Sequence, residues 1–434
     1  MPIHPNTHTT NSTLNSTLPG PDDISRIELA NGIVILSRAN FNSPSVVISG
    51  YLPAGALFDP DQKLGLADFT VSALMRGTNN RSFQDIFNAL ESVGASLGLG
   101  GATHTIGFNG KALAEDLDLL LDLLAEALRR PIFPEEQVER LRAQLLTALA
   151  IRAQDTGQMA SLAFDKLVYD GHPYSRPEDG YPETVQAITR TDLQEFHREH
   201  FGPRGMVITI VGAVDPAQAI DKVSHCLADW DHPEQTEPAA LPPLNPRSEA
   251  KTERVTIPGK SQSDIVLGTA GPSRRSEDFL AASLGNSVLG QFGMMGRLGE
   301  AVREKAGLAY YVGSTLSGGV GPGPWYVSAG VNPDNVEQTI DLINNEISRF
   351  VTEPVSDEEL ADSQANFIGR LPLSLESNAG VAAALRNLER YELGLDYYRR
   401  YPDLIKSVAS EEVLVAARRY LDPHMLAVAV AGPD

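Results

Sequence analysis

Cysteine is almost absent from this sequence of 434 residues: Cys226 stands alone, so no disulfide can form within the chain. A single thiol fits a reducing compartment, and the cytoplasm is the expected location. Basic residues are also in deficit. Lys and Arg number 35 against 56 Asp and Glu, a net charge of −21, which argues against nucleic acid and against anionic membrane surfaces as partners. Long apolar runs are missing. Stretches such as Met206–Val211 fall far short of the ~20 residues that cross a bilayer. The first 22 residues hold no apolar core and no Lys or Arg; rich in Thr, Asn, Ser and Pro, they predict a disordered tail reaching to about residue 24 rather than a secretory signal. A phosphate-cradling loop is missing as well. Gly318, Gly319, Gly321 and Gly323, with Pro322 and Pro324, are not followed by Lys-Ser/Thr and read as a hairpin turn.

What the chain does have is apolar material, 42% of it, and a length that calls for two or three domains. Ile27–Leu36 and Ser45–Tyr51 read as strands. Ser82, with Asp85 three residues on and Gly94 at the far end, frames a helix. Ser96–Gly110 alternates and is rich in glycine. Ala112–Arg130 carries Leu117, Leu121, Leu124 and Leu128 on one helical face. Helices follow Pro134 and precede the loop Gly171-His-Pro-Tyr174, and Thr191–His200 is a further helix. The nearly continuous apolar run Met206–Val211 predicts a buried strand.

Asp231–Lys251, with five prolines, reads as a linker. After it the pattern repeats. Val336, Ile340, Ile343 and Ile347 fall where the first half has its leucine stripe, and at the same offset Met425–Val430 answers Met206–Val211 and Asp434 answers Asp215; Asp264–Gly268 also reads like Val46–Gly50. The expected organisation is a tail over 1–24, half-domains over 25–230 and 252–434, and a linker over 231–251 between them.

One stretch carries a sharper signal: Gly65-Leu-Ala-Asp-Phe-Thr-Val-Ser-Ala-Leu-Met-Arg-Gly-Thr78. It predicts a helix with Asp59 as N-cap, Pro60 in the first turn, and Leu64, Ala67, Val71, Leu74 and Met75 toward a core. Its frame resembles that of the pitrilysin and mitochondrial-processing-peptidase family, in which His-x-x-Glu-His sits between Gly-Leu-Ala and Gly-Thr. There the two His bind zinc and the Glu activates the metal-bound water. On this chain those positions are Asp68, Val71 and Ser72. The family's third ligand is a Glu on a later helix, and Leu141–Ala160 contains none; Asp155 is its one carboxylate. The resemblance therefore implies a non-catalytic member with no metal or cofactor of its own. Its fold would be α+β: two homologous half-domains, each a mostly antiparallel sheet with helices packed on one face.

The same resemblance marks the run from Gly290 to Tyr310. Arg303 and Tyr310 fall on the family's substrate-binding pair, able to donate to a peptide carbonyl. Gly290, Gly293 and Gly296 are candidates for the family's glycine-rich substrate loop. Family members that lose the motif pair with a homologous subunit that retains it. This implies a heterodimer in which the partner holds the zinc and this chain supplies Arg303, Tyr310 and chamber wall to an unfolded peptide. A scaffold subunit of a larger complex and a homodimeric peptide-binding chamber stay open. His197-Arg-Glu-His200 is spaced three apart, not four, and reads as the polar face of a surface helix; His172 reads as a hydrogen-bonding loop residue.

Overall fold

The structure is a computed structural model describing residues 18–238, 240–245, 249–291 and 296–433. The predicted tail up to residue 17, Gly293 and Asp434 lie outside the described residues. The strands are β1 Ser25–Glu28, β2 Val34–Ala39, β3 Ser45–Leu52, β4 Ser96–Gly101, β5 Ile106–Leu113, β6 Val207–Gly212, β7 Lys251–Thr256, β8 Ser263–Ala270, β9 Ala309–Leu316, β10 Pro324–Val331 and β11 Ala427–Gly432. The helices of the first half of the sequence are α1 Leu66–Ala73, α2 Phe83–Ser92, α3 Leu117–Arg129, α4 Glu135–Arg152, α5 Thr156–Val168, α6 Pro182–Ala187, α7 Arg190–His200 and α8 Pro216–Leu227. Those of the second half are α9 Phe279–Asn286, α10 Val336–Phe350, α11 Asp357–Ser374, α12 Asn378–Arg390, α13 Tyr397–Lys406 and α14 Ser410–Tyr420. None is long and apolar enough to cross a membrane.

Contacts divide the chain into two units, each assembled from three segments. The first takes Met1–Leu146, Glu178–Ala239 and Ile368–Pro402; the second takes Thr147–Pro177, Ala240–Phe367 and Asp403–Asp434. One boundary falls inside the proline-rich stretch, but each half of the sequence also lends a helical segment to the other half's unit. The reason is visible in each sheet.

The first unit's sheet runs β1-β2-β6-β3-β5-β4, antiparallel except for the β2–β6 pair. Every residue of β6 is buried, as its nearly continuous apolar run requires of a strand covered on both faces. On one face Leu120 of α3 lies over Ile48 and Gly110. On the other lies α12, whose Ala382 carbonyl accepts from Thr209 and whose Arg386 donates to Ser49. The second unit's sheet runs β7-β11-β8-β10-β9, again with one parallel pair. It repeats the order of five strands in the first. Here α5 supplies the helix from the other half of the sequence: Ala160, Ala163, Phe164 and Val168 pack with Val266, Ala427, Ala429 and Ala431.

Several local expectations are corrected. Ile27–Leu36 is a hairpin, β1 and β2 turning at Gly32 (φ +89°). Residues 112–113 close β5, so α3 begins at Leu117. Residues 18–24 are not a free tail: Leu18 is buried, its carbonyl accepts from Arg399, and Asp23 pairs with Arg38. In the proline-rich stretch, Gln235 is buried and bonded to both backbone groups of Arg204.

Candidate functional site

α1 starts later than its sequence suggests. Pro60 precedes a short 3-10 turn at Asp61–Lys63, and the N-cap is Gly65, held at φ +93° where a side chain would meet the Asp179 carbonyl. Asp59 caps from a distance: its carboxyl oxygens accept from the backbone N–H of Gly65 (2.8 Å) and Ala67 (2.9 Å). Burial pushes its pKa up to about 7, opposed by those same N–H donors. The helix ends at Ala73, tightens to a 3-10 turn over Leu74–Arg76 and leaves at Gly77.

Asp68 and Ser72 share the partly exposed side of α1, and Val71 is only 1% exposed. Gly101, at the end of β4, passes so close that a Cβ there would lie 3.2 Å from both the Asp68 Cα and its Oδ1. The Asp68 carboxyl is pushed up to about 6, first by burial, then by the charges of Asp179 and Glu178. Glu178 accepts from the backbone N–H and hydroxyl of Thr103. Sequence reading missed this acidic neighbourhood, since Glu178 and Asp179 are far from α1 in the chain and belong to no local pattern.

These residues do not fit a zinc ion. Val71 has neither donor nor acceptor and is sealed in the core, and Ser72 is a weak ligand. Asp68 stands among groups that favour its protonated form. Asp155 caps α5 in the other unit, accepting from Gln158 N at 2.8 Å. Among the described residues, no three His, Cys, Asp or Glu side chains are grouped to hold a metal.

The two histidines of α7 are not a solvated face, as the sequence suggested. His197 meets the Leu128 carbonyl at 2.8 Å, and His200 stacks on Phe58 with ring centroids 4.1 Å apart. Burial pulls both down to about 4, so they are neutral packing groups. His172 is the hydrogen-bonding loop residue expected: its ring accepts from Tyr174 N and meets the Pro242 carbonyl. Cys226 is half-buried and pushed up to about 11 by burial and by Asp122, far from a nucleophile's range.

In the second unit, Arg303 lies on a π-helical turn, Gly299–Lys305, which ends at Gly307 in the left-handed region (φ +66°). Tyr310 is the second residue of β9, an edge strand. Both side chains are exposed, Tyr310 by 58%, and neither has a hydrogen bond or ion pair among the described residues. Two neighbours are firmly held instead. Tyr311 donates to Asp264 at 2.5 Å, and Arg297 makes a two-pronged pair with Glu359 at 2.7 and 2.8 Å. Gly290 and Gly296 are buried; a Cβ on Gly296 would lie 2.8 Å from the Gly290 Cα, which gives both a packing reason to be glycine.

Two family models match the chain. One described as "Insulinase (Peptidase family M16)" covers residues 34–173, and one described as "Peptidase M16 inactive domain" covers residues 187–367. An uncharacterised zinc protease of Streptomyces coelicolor is 26% identical over 95% of this chain and 90% of its own length. The beta subunit of the mitochondrial processing peptidase of Saccharomyces cerevisiae is 24% identical over 87% and 83%. Among solved structures, a peptidase M16 inactive domain from Pseudomonas fluorescens superposes with a TM-score of 0.86 at 25% identity, covering 95% of this chain and 98% of that one. A protease from Helicobacter pylori, at 18% identity and a TM-score of 0.87, shares the fold. The chain belongs to the M16 peptidase family.

Proposed function

We propose that this chain is the non-catalytic subunit of a heterodimeric zinc metallopeptidase. A homologous partner with an intact His-x-x-Glu-His motif supplies the zinc and the general base. This chain supplies substrate contacts and chamber wall for an unfolded peptide, which the partner holds by strand addition to a sheet edge. A single cysteine and the lack of a membrane-crossing helix among the described residues suit work in the cytoplasm.

One observation carries the reading: Arg303 and Tyr310 are exposed and without partners among the described residues, while the zinc-motif positions hold groups unsuited to metal. The neighbouring Arg297 and Tyr311 are both paired, with Glu359 and Asp264. Leaving a guanidinium and a phenol free on a turn and an edge strand suits donors kept for a carbonyl oxygen. Gly290 and Gly296 are buried, which leaves their part in the glycine run to packing. The test is reconstitution. This chain alone cleaves no peptide; mixed with its zinc-bearing partner it restores hydrolysis. Arg303→Ala and Tyr310→Phe then lower turnover without changing co-elution of the two chains. Unchanged turnover in both variants, or hydrolysis by this chain alone, refutes the reading.

A further inference from the structure

The first unit's sheet has one face on which side chains nearly vanish. Across β4, β5 and β3, Gly98 stands opposite Asn109 and Asn109 opposite Ser49; Gly100 stands opposite Gly107 and Gly107 opposite Tyr51. Residues directly opposite share a face, so these six lie on one side of the sheet. A Cβ at Gly98 or Gly100 would meet nothing within 4 Å, and Gly98, Gly100 and Asn109 are exposed. The result is a lane two residues wide, roughly 7 Å, running ~10 Å inward from the free edge of β4. It stops at β3, because α12 covers Ser49 and Tyr51.

Two guanidiniums stand at that closed end. Arg386 and Arg390 are four apart on α12 and therefore neighbours on its surface. Arg386 donates from Nη1 to Ser49 Oγ at 3.0 Å, and Arg390 lies over the Tyr51 ring, 5.6 Å from its centroid. Neither has a carboxylate partner among the described residues, and the buried Nε of each has no hydrogen-bond partner there. The adjacent Glu389 is already engaged by Arg26 at 2.6 Å. Burial, then the charge of Arg390, lowers the pKa of Arg386. In a chain of net charge −21, two half-buried like charges without a counter-ion cost stability that a bound anion would return. The polar chain extends into the lane: Ser49 Oγ donates to Asn109 Oδ1 at 2.7 Å, which leaves the Asn109 amide N–H groups to offer. Lys111, also exposed, follows on the same face.

We propose that this lane binds the C-terminal end of an extended peptide, with the terminal carboxylate held by Arg386 and Arg390. A planar fork of donors matches a carboxylate. The dead end favours a chain terminus over an internal acidic residue, whose flanking backbone would have to pass through α12. The floor of glycines admits backbone where side chains would obstruct it. The inference rests on the reading of this chain as a peptide-handling subunit. Its test needs neither the partner nor hydrolysis, so the two can fail separately.

The full chain, alone, is titrated against an N-terminally labelled decapeptide by fluorescence anisotropy. The peptide is used in three forms: with a free C-terminus, amidated, and amidated with one internal Glu. The free acid binds tighter than either amide by about tenfold or more, the value of a charge-assisted pair. Arg390→Gln abolishes that difference, bringing the free acid down to the level of the amide. If Arg386→Gln disturbs folding through Ser49, exposed Asn109→Asp serves in its place: it keeps the acceptor for Ser49, adds a repelling charge, and weakens the free acid alone. Equal binding of acid and amide, a preference that survives Arg390→Gln, or an internal Glu as good as a free terminus would each overturn the proposal. So would no binding of the free acid at millimolar concentration.

Discussion

Rebuilding the zinc motif in this chain should damage the fold before it creates a metal site, and the damage can be placed at one residue. Val71 is 1% exposed on a helix packed against β4 and α7. Val71→Glu removes a buried aliphatic group and installs a carboxylate one turn from Asp68, already held near 6 by burial and by Asp179 and Glu178. An uncompensated buried charge costs about 3–5 kcal/mol. In a unit of this size, each kcal/mol moves Tm by roughly 2–4 °C, so a loss of about 10 °C is expected. The loss has a pH signature. The new carboxyl's folded pKa lies above its unfolded value, so the variant is penalised least in acid and increasingly as pH rises through the folded pKa. The assay is thermal unfolding by circular dichroism from pH 5 to pH 8, with metal analysis after dialysis against equimolar zinc. Asp68→His with Ser72→His, at two partly exposed positions, is the companion variant. It supplies two ligands of the three a catalytic site needs and retains no stoichiometric zinc. A Val71→Glu variant within two degrees of the parent at pH 8, or one zinc per chain in the double or triple variant, would refute the reasoning; the latter would reveal a third ligand in this chain.

Asp68→Asn should act in the opposite sense. With the folded pKa about 6 against an ordinary value of 3.8, the charged carboxyl weakens the fold above pH 6, so the amide stabilises by about 2 kcal/mol at pH 8 and by nothing below pH 4; a gain that does not depend on pH would contradict the assignment. Glu359 titrates the other way. Its hydrogen bonds from Arg297 hold it down to about 2, so its contribution is present above the ordinary carboxylate range and disappears as pH falls toward 2. Discounted for partial solvent screening, that contribution is about 1–2 kcal/mol, and the stability gap between parent and Glu359→Gln should narrow by that amount between pH 6 and pH 2 in urea titrations. Arg303→Ala and Tyr310→Phe, both exposed, should leave Tm within about 1 °C, which separates their expected loss of turnover from misfolding.

Much of the fold was legible because its signals are local or periodic. The stripe Leu117, Leu121, Leu124 and Leu128 is buried as its spacing required, and Ser82 with Asp85 forms the capping box. The duplication read from two matching stripes reappears as one strand order in two sheets. What escaped was long-range. Periodicity says that α5 and α12 have buried faces, yet nothing in a 13-residue pattern says which sheet each will cover. Each in fact covers the sheet built from the other half of the sequence. Asp59 does cap α1, as its place in the sequence suggested, but across six and eight residues rather than from the adjoining position, because Gly65 takes the left-handed turn that brings the helix N-terminus back to it.

The candidate site divides along the same line. The motif reading rests on a frame of consecutive residues, in which a substitution shows as a mismatch. The acidic setting of Asp68 and the paired guanidiniums of α12 were not legible, because they depend on the tertiary structure placing Glu178 beside α1 and Arg386 over β3. A zinc site needs a base at the central motif position, open to water. On the alignment proposed above that position is Val71, 1% exposed, so a working site there would require both a new ligand set and a helix face turned toward solvent. Arg303 and Tyr310 are exposed and make no hydrogen bond or ion pair among the described residues, so the free position of this guanidinium and phenol has no explanation in the unit's own hydrogen bonding. It is explained if a peptide, delivered to the zinc of another subunit, passes within their reach.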